Sequence, residues 1–262
     1  MLNFAPAKRI ELRDYQADAI EALRQGIRAQ QRRQILCAGT GAGKTVMAAS
    51  LLRQAHEKGA YAIFLVDRVA LVNQTSATLD NYGIPHGIVQ GDNGRWAPHE
   101  NVQVCSVQTL AKRHLPRDPD LIIYDECHCQ YAATLAFMDR HPDAVKVGLT
   151  ATPFTAGMGK HWDSMVNVRS TRLLIEDGHL IEPTIYVARS PQDAELGMNK
   201  FGEFSDDSAA SAGIKIVGDV VAEWTKKTFE HFGRPVKTIV FSPTVEHGRE
   251  ICAAFSAAGF NF

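Results

Sequence analysis

Eight consecutive residues, Ala38-Gly39-Thr40-Gly41-Ala42-Gly43-Lys44-Thr45, join a flexible backbone to one ammonium and a terminal hydroxyl. Glycines at 39, 41 and 43 let successive N–H groups turn towards one anion, and a helix beginning behind them adds a favourable dipole. In such a cradle Lys44 reaches the β- and γ-phosphates of a nucleoside triphosphate, and the Thr45 hydroxyl holds Mg2+. The strict spacing asks for glycine at 38, where this chain has Ala38. A second candidate, Asp125-Glu126, closes the short apolar run Leu121-Ile122-Ile123-Tyr124. If that run is a strand of an open parallel sheet, both carboxylates stand at the edge where such sheets bind ligands. There Asp125 suits Mg2+ and Glu126 suits a water to be activated. Thr150-Ala151-Thr152-Pro153 leaves another apolar run, Val145 to Leu149, and its hydroxyls could sense a γ-phosphate at the same edge.

The elements that must position these groups follow from periodicity. Apolar runs at 34–38, 61–66 and 121–124 read as buried strands, with shorter ones at 87–90, 101–108 and 145–149. Helical patterns fall between them, at 12–29, 46–52, 71–79 and 131–138. Strand–helix alternation through residue 150 predicts a doubly wound parallel α/β sheet. At the first helix Asp14 is a candidate cap, while the Gln16 amide could meet an adenine edge; spacing alone favours the capped, solvated helix.

Beyond residue 155 the texture changes. A short helix is expected at 171–176, a boundary at 178–183, a strand near 185–187 and a polar, acidic linker over 190–213. A helix at 216–232, a buried strand at 238–242 and a helix at 245–257 read as the opening of a second α/β unit. The expected division is a nucleotide-binding domain over 1–182, a linker over 183–213 and an incomplete second domain over 214–262.

Net charge is −1, so no global basic field advertises a polyanion, although a local basic groove can sit on a neutral protein. The five cysteines are odd in number, and Cys127-His128-Cys129 lacks the second pair that a zinc site needs. With no apolar run near the ~20 residues of a membrane span and no leader-like N-terminus, a soluble cytoplasmic protein without membrane contact is expected.

The order of these segments resembles the front part of a superfamily 2 DEAD/DEAH-like helicase, in the RadD-like and type III restriction-subunit-like group. Leu12-Arg13-Asp14-Tyr15-Gln16 resembles the adenine-reading Q segment, which gives Gln16 a nucleotide role. Gly39 to Thr45 resembles motif I, where alanine at the first position is usual. Leu65-Val66-Asp67-Arg68-Val69-Ala70-Leu71 resembles motif Ia, and Ser106-Val107-Gln108-Thr109-Leu110 resembles motif Ib. Asp125-Glu126-Cys127-His128 resembles motif II, Thr150 to Pro153 motif III and Ile239 to His247 motif IV.

The resemblance implies a RecA-like fold using ATP and Mg2+. Lys44, Asp125, Glu126 and His128 would be catalytic, and Gln16 with Gly39, Thr40, Gly41, Ala42, Gly43, Lys44 and Thr45 would bind the nucleotide. Thr45 and Asp125 would hold the metal. Arg68, Gln108, Thr109, Thr150 and Thr152 would contact nucleic acid or couple it to ATP. The activity implied is ATP-dependent helicase or translocase work, with DNA favoured over RNA. Motifs V and VI and their arginine finger do not precede Phe262, so a second chain or a missing C-terminal region is expected to complete the ATP site. Two other readings stand beside it: a nucleotide-gated binding or regulatory module with little turnover, and a metabolic P-loop kinase.

Overall fold

In the computed structural model, residues 8–110, 112, 113, 115–186, 217–242 and 244–261 are described. Seven strands pair in one sheet: β1 (Arg33–Cys37), β2 (Ala62–Val66), β3 (Gly87–Val89), β4 (Val102–Ser106), β5 (Leu121–Asp125), β6 (Val145–Thr150) and β7 (Ser164–Asn167). Their order is β3-β4-β2-β5-β6-β1-β7, and every pairing is parallel. Parallel strands need crossovers, and helices supply four of the six: α1 (Asp14–Arg28) precedes the sheet, α2 (Lys44–Glu57), α3 (Val69–Asn81), α4 (Val107–Leu110) and α5 (Ala132–Arg140) connect strands, and α6 (Thr171–Glu176) follows β7. Helices on both faces explain why the strands read as unbroken apolar runs rather than alternating ones. Leu36, Phe64 and Ile123 pack into the core beneath α1 to α3, whereas Ile35, Ile63, Leu65, Ile122 and Tyr124 pack into the core beneath α4 and α5.

Register decides what meets at the carboxyl edge. Cys37 lies beside Thr150 and Leu149 beside Asp125, so the ends of β1, β6 and β5 come level. Tight packing holds that level: a Cβ on Gly148 of β6 would lie 2.5 Å from the Trp162 ring and 2.7 Å from Cys127 Sγ.

Met1–Pro183 and Thr184–Phe262 form two compact units. The second contains α7 (Val217–Phe232) and α8 (Val245–Ala257). Among its described residues Val221, Ile251 and Phe255 form a buried cluster, with Trp224 edge-on to Phe255 at 5.1 Å and to Phe260 at 4.9 Å.

Four expectations are corrected. The segment 238–242 forms no strand; Ile239 is 82% and Phe241 91% exposed. No neighbouring strand is present among the described residues of this unit, and a β ladder does not form without a partner. Ile185 and Tyr186 are likewise exposed and outside any strand, and the 190–213 linker lies outside the described residues. The cap of α1 is Arg13, not Asp14: the Gln16 Oε1 accepts the Arg13 N–H at 3.0 Å, and Asp14 takes the first helical position, where its charge suits the dipole. The strand expected over 101–108 ends at Ser106 and turns into α4, and β7 was not expected at all. No helix among the described residues is long and apolar enough to cross a membrane.

Candidate active site

Between β1 and α2 the backbone enters left-handed space twice, with φ of 84° at Gly41 and 87° at Gly43. Only glycine does so without steric cost. Space is also short: a Cβ would lie 2.7 Å from Leu180 Cδ2 at Gly41 and 2.3 Å from Gln16 Nε2 at Gly43. Ala38 is fully buried, its N–H donating to Thr150 O at 2.9 Å, so alanine is accommodated where the strict motif asks for glycine. Gly39 approaches Thr171 and Thr40 is exposed. Ala42 is fully buried and its carbonyl accepts from Gln16 Nε2 at 2.9 Å and from the Tyr15 hydroxyl at 3.4 Å. Lys44 opens α2 and its Nζ donates to Ala38 O at 3.0 Å, while Thr45 is exposed on the same first turn.

Gln16 is 4% exposed, with both ends of its amide bonded within the chain. It retains one free N–H and one free lone pair for a ligand. It borders a cavity of about 510 Å³, with Arg9, Arg13, Gly41, Gly43 and Tyr82 among the other lining residues.

Asp125 and Glu126 end β5. Burial, reinforced by the neighbouring Glu126 carboxylate, pushes the Asp125 carboxyl up to about 6; the Glu126 N–H, bonded to Asp125 Oδ1 at 3.1 Å, and the Lys44 ammonium oppose the rise. Glu126 has φ of 51°, a left-handed conformation costly for a residue with a Cβ. Such strain tends to accumulate at functional positions. His128 Nδ1 lies 3.0 Å from Thr150 Oγ1 and 3.3 Å from Glu126 Oε2, and Thr150 Oγ1 also accepts the Thr152 N–H at 3.0 Å. The segments around β5 and β6 are thereby tied together by side chains.

This carboxylate carries a prediction. Folding raises Asp125 above its ordinary 3.8, so between pH 3.8 and about 6 the folded chain keeps a proton that the unfolded chain releases. The resulting loss of stability grows through that window and is complete above it. Asp125→Asn is therefore expected to stabilise the ligand-free chain at pH 7 by on the order of 1–3 kcal/mol, with the gain fading below pH 4. Denaturant melts across that pH range check it; no gain at pH 7 would sink it.

A hydroxyl at Thr45 and a carboxylate at Asp125 are hard oxygen donors, and a cation would relieve the Asp125–Glu126 repulsion. That set suits Mg2+, which is commonly held by one or two carboxylates with waters and substrate phosphates. No cluster of three or more metal-ligating side chains exists among the described residues, so the chain offers part of a coordination shell rather than a cage.

The remaining candidates stand at the ends of β2 and β4. Arg68 is 81% exposed, with its Nε 3.8 Å from Asp67. Gln108 is committed to structure: its Nε2 donates to Asp67 O at 2.7 Å and its Oε1 accepts the Ser106 hydroxyl at 2.8 Å. Thr109 Oγ1 accepts the Gly91 N–H at 3.2 Å. Tyr131, which follows the Asp125 segment, donates its hydroxyl to Asp67 Oδ2 at 3.3 Å and joins the two groups. No local sequence pattern marks Tyr131 or Leu180 as part of the site, because each contacts it across a long chain separation.

Residues 9–155, more than half the chain, match the family described as type III restriction enzyme, res subunit. A 51.5 kDa protein of a Lactococcus phage (isolate 7-9) is 29% identical over 225 residues, which cover 84% of this chain and 46% of that protein. The UvsW helicase of bacteriophage T4 superposes with a TM-score of 0.51 at 22% identity, over 63% of this chain and 62% of that one. The ATP-dependent type ISP restriction-modification enzyme LlaBIII, bound to DNA in its structure, superposes with a TM-score of 0.68 at 15% identity, over 98% of this chain and 22% of that one. These structural likenesses establish the RecA-like α/β fold. The chain belongs to the type III restriction res-subunit family of superfamily 2 helicases, a family of helicase-like, ATP-dependent nucleic-acid enzymes. It spans about half the length of the curated relative it matches.

Proposed function

We propose that this chain is the ATP-binding part of a nucleic-acid translocase or helicase, with DNA favoured over RNA as its track. The observation that carries the reading is the convergence of the glycine loop, Asp125-Glu126 and the His128–Thr150 contact at one edge of one parallel sheet. Lys44 and the loop N–H groups hold the phosphates of ATP, and Gln16 offers its spare donor and acceptor to the base. Thr45 and Asp125 hold Mg2+, which when bound neutralises charge on the β- and γ-phosphates. Glu126 orients and deprotonates the attacking water. His128 and Thr150, with Thr152 behind them, pass the state of this site towards the strand ends. Arg68 is free to meet a backbone phosphate, whereas Gln108 and Thr109 keep the loops in place behind it. A further part of the protein or a second chain supplies the cation that completes the ATP site.

Steady-state ATP hydrolysis with and without single- and double-stranded DNA and RNA tests this. Stimulation by DNA above RNA is expected. Equal rates with every polymer and with none would remove the nucleic-acid role while leaving the ATPase.

A further inference from the structure

At the other pole of the sheet a pocket of about 270 Å³ opens between the loop after α4 and the end of α5; it is lined by Arg113, Leu115, Arg117, Asp118, Phe137, Arg140 and His141. Asp118 lies just before the start of β5 and His141 just before the start of β6. The glycine loop follows the opposite end of the sheet, about 16 Å away along a five-residue strand.

The pocket gathers three arginines with little charge pairing. Six arginines elsewhere in the same unit have carboxylates close by. Arg24 and Arg28 reach Glu21, Arg33 reaches Asp139, Arg95 reaches Asp80, Arg169 reaches Asp177 and Arg172 reaches Glu176, all within 3.0 Å. In the pocket, Arg113 has only the exposed Asp92 at 3.7 Å. Arg117 bonds to Asn101 and lies over the Tyr61 ring at 4.6 Å, and Arg140 stands over Phe137 at 5.7 Å. Among the described residues neither Arg117 nor Arg140 has a carboxylate within 4.0 Å. Asp118, the one carboxylate in the lining, lies 3.2 Å from His141.

The helix end does not account for Arg140. Lys146, fully buried in β6, already donates to the carbonyls of His141 and Pro142, so the negative end of the α5 dipole is matched. Arg33 occupies the adjacent Asp139. Of the other arginines of this unit with no carboxylate within 4.0 Å among the described residues, Arg9 and Arg13 border the 510 Å³ cavity, while Arg32 and Arg53 donate to the single backbone carbonyls of Asp143 and Tyr82.

We propose that the pocket binds a phosphate group, independently of the glycine loop. Guanidinium forks match carboxylates and phosphates alike. Three forks around one small pocket need more acceptor oxygens than a carboxylate has, and a phosphate supplies them. The group comes either from a free phosphate compound or from the backbone of a nucleic-acid strand; only the second source rests on the function proposed above.

The test uses the full chain carrying Arg117→Gln with Arg140→Gln. Inorganic pyrophosphate is titrated by calorimetry into the Lys44→Ala chain, whose glycine loop is silenced, with and without the two arginine changes. A labelled single-stranded oligonucleotide is titrated over a salt series into chains with Lys44 intact. We expect pyrophosphate affinity to fall at least tenfold, or the salt slope to drop by about 0.7 for each phosphate that is no longer neutralised, with ATP affinity unchanged. Loss in the pyrophosphate arm alone identifies a free phosphate, and loss in the oligonucleotide arm alone identifies the backbone. If the chain binds no oligonucleotide while pyrophosphate binding still weakens, the pocket stands and the nucleic-acid function falls. Unchanged behaviour in both arms overturns the proposal. Should the glutamine pair melt early, Arg117→Lys with Arg140→Lys keeps the charge and removes the forks, and the same readings decide.

Discussion

Lys44→Ala is expected to weaken ATP binding by about a hundredfold or more while leaving the fold intact. The affinity loss follows from charge-assisted contacts: each is worth about 1.5–3 kcal/mol, and the ammonium would make two, to the β- and γ-phosphates. The cost to the fold is smaller. In the ligand-free chain Lys44 makes one hydrogen bond, to Ala38 O at 3.0 Å, worth about 1 kcal/mol. Alanine is also the best helix former at the start of α2. The buried face of that helix, Met47, Ala48, Ala49 and Leu52, is untouched. One electrostatic consequence is specific. Lys44 opposes the upward push on Asp125, so its loss drives that carboxyl higher. Calorimetric titration with Mg2+-ATP beside a thermal melt checks both halves. Unchanged affinity would dismiss the loop as the phosphate site, and collapse of the melt would make Lys44 a structural residue.

How legible the site was in the sequence depended on whether its information is local. The glycine loop is local: strand, turn and helix are consecutive, and Gly41 and Gly43 have the backbone angles their residue type permits. Asp125 and Glu126 could be placed because an apolar run stops at them and parallel strands bring their ends level. Tyr131 could not be placed, since it touches Asp67 across 64 residues and nothing near Tyr131 encodes that approach. Leu180 sits over Gly41 for the same kind of reason. The missed strand β7 is short, alternates in exposure and lies at the sheet edge, so it lacks the unbroken apolar signature of the central strands. The error at 238–242 runs the other way: an apolar, β-branched run has strand propensity, but propensity describes fit to a ladder, and no ladder is present among the described residues of that unit. Gln108 carries the same lesson for function. Its exposure suits nucleic acid, yet its amide is engaged at both ends with Asp67 and Ser106.

Glu126→Gln is expected to cut ATP turnover by about 10²–10⁴-fold, the usual contribution of a positioned general base, with ATP still bound. The exchange is nearly isosteric and keeps the backbone N–H that bonds Asp125 Oδ1, so the strand end retains its geometry. It also removes the like charge that raises Asp125, so that carboxyl is pushed up less. Binding and turnover thus move apart, which loss of fold would not produce. The left-handed φ of 51° supplies a second handle. Glu126→Gly relieves a backbone cost of roughly 1–2 kcal/mol, so this variant should be at least as stable as the parent and equally slow. A chain that keeps strain at one position, where glycine would remove it, retains the carboxylate for something other than stability. Single-turnover hydrolysis, equilibrium ATP binding and melting of both variants test the argument together. Parent-like turnover in Glu126→Gln would take Glu126 out of the chemistry, and a destabilised Glu126→Gly would show that its side chain is there to hold the fold.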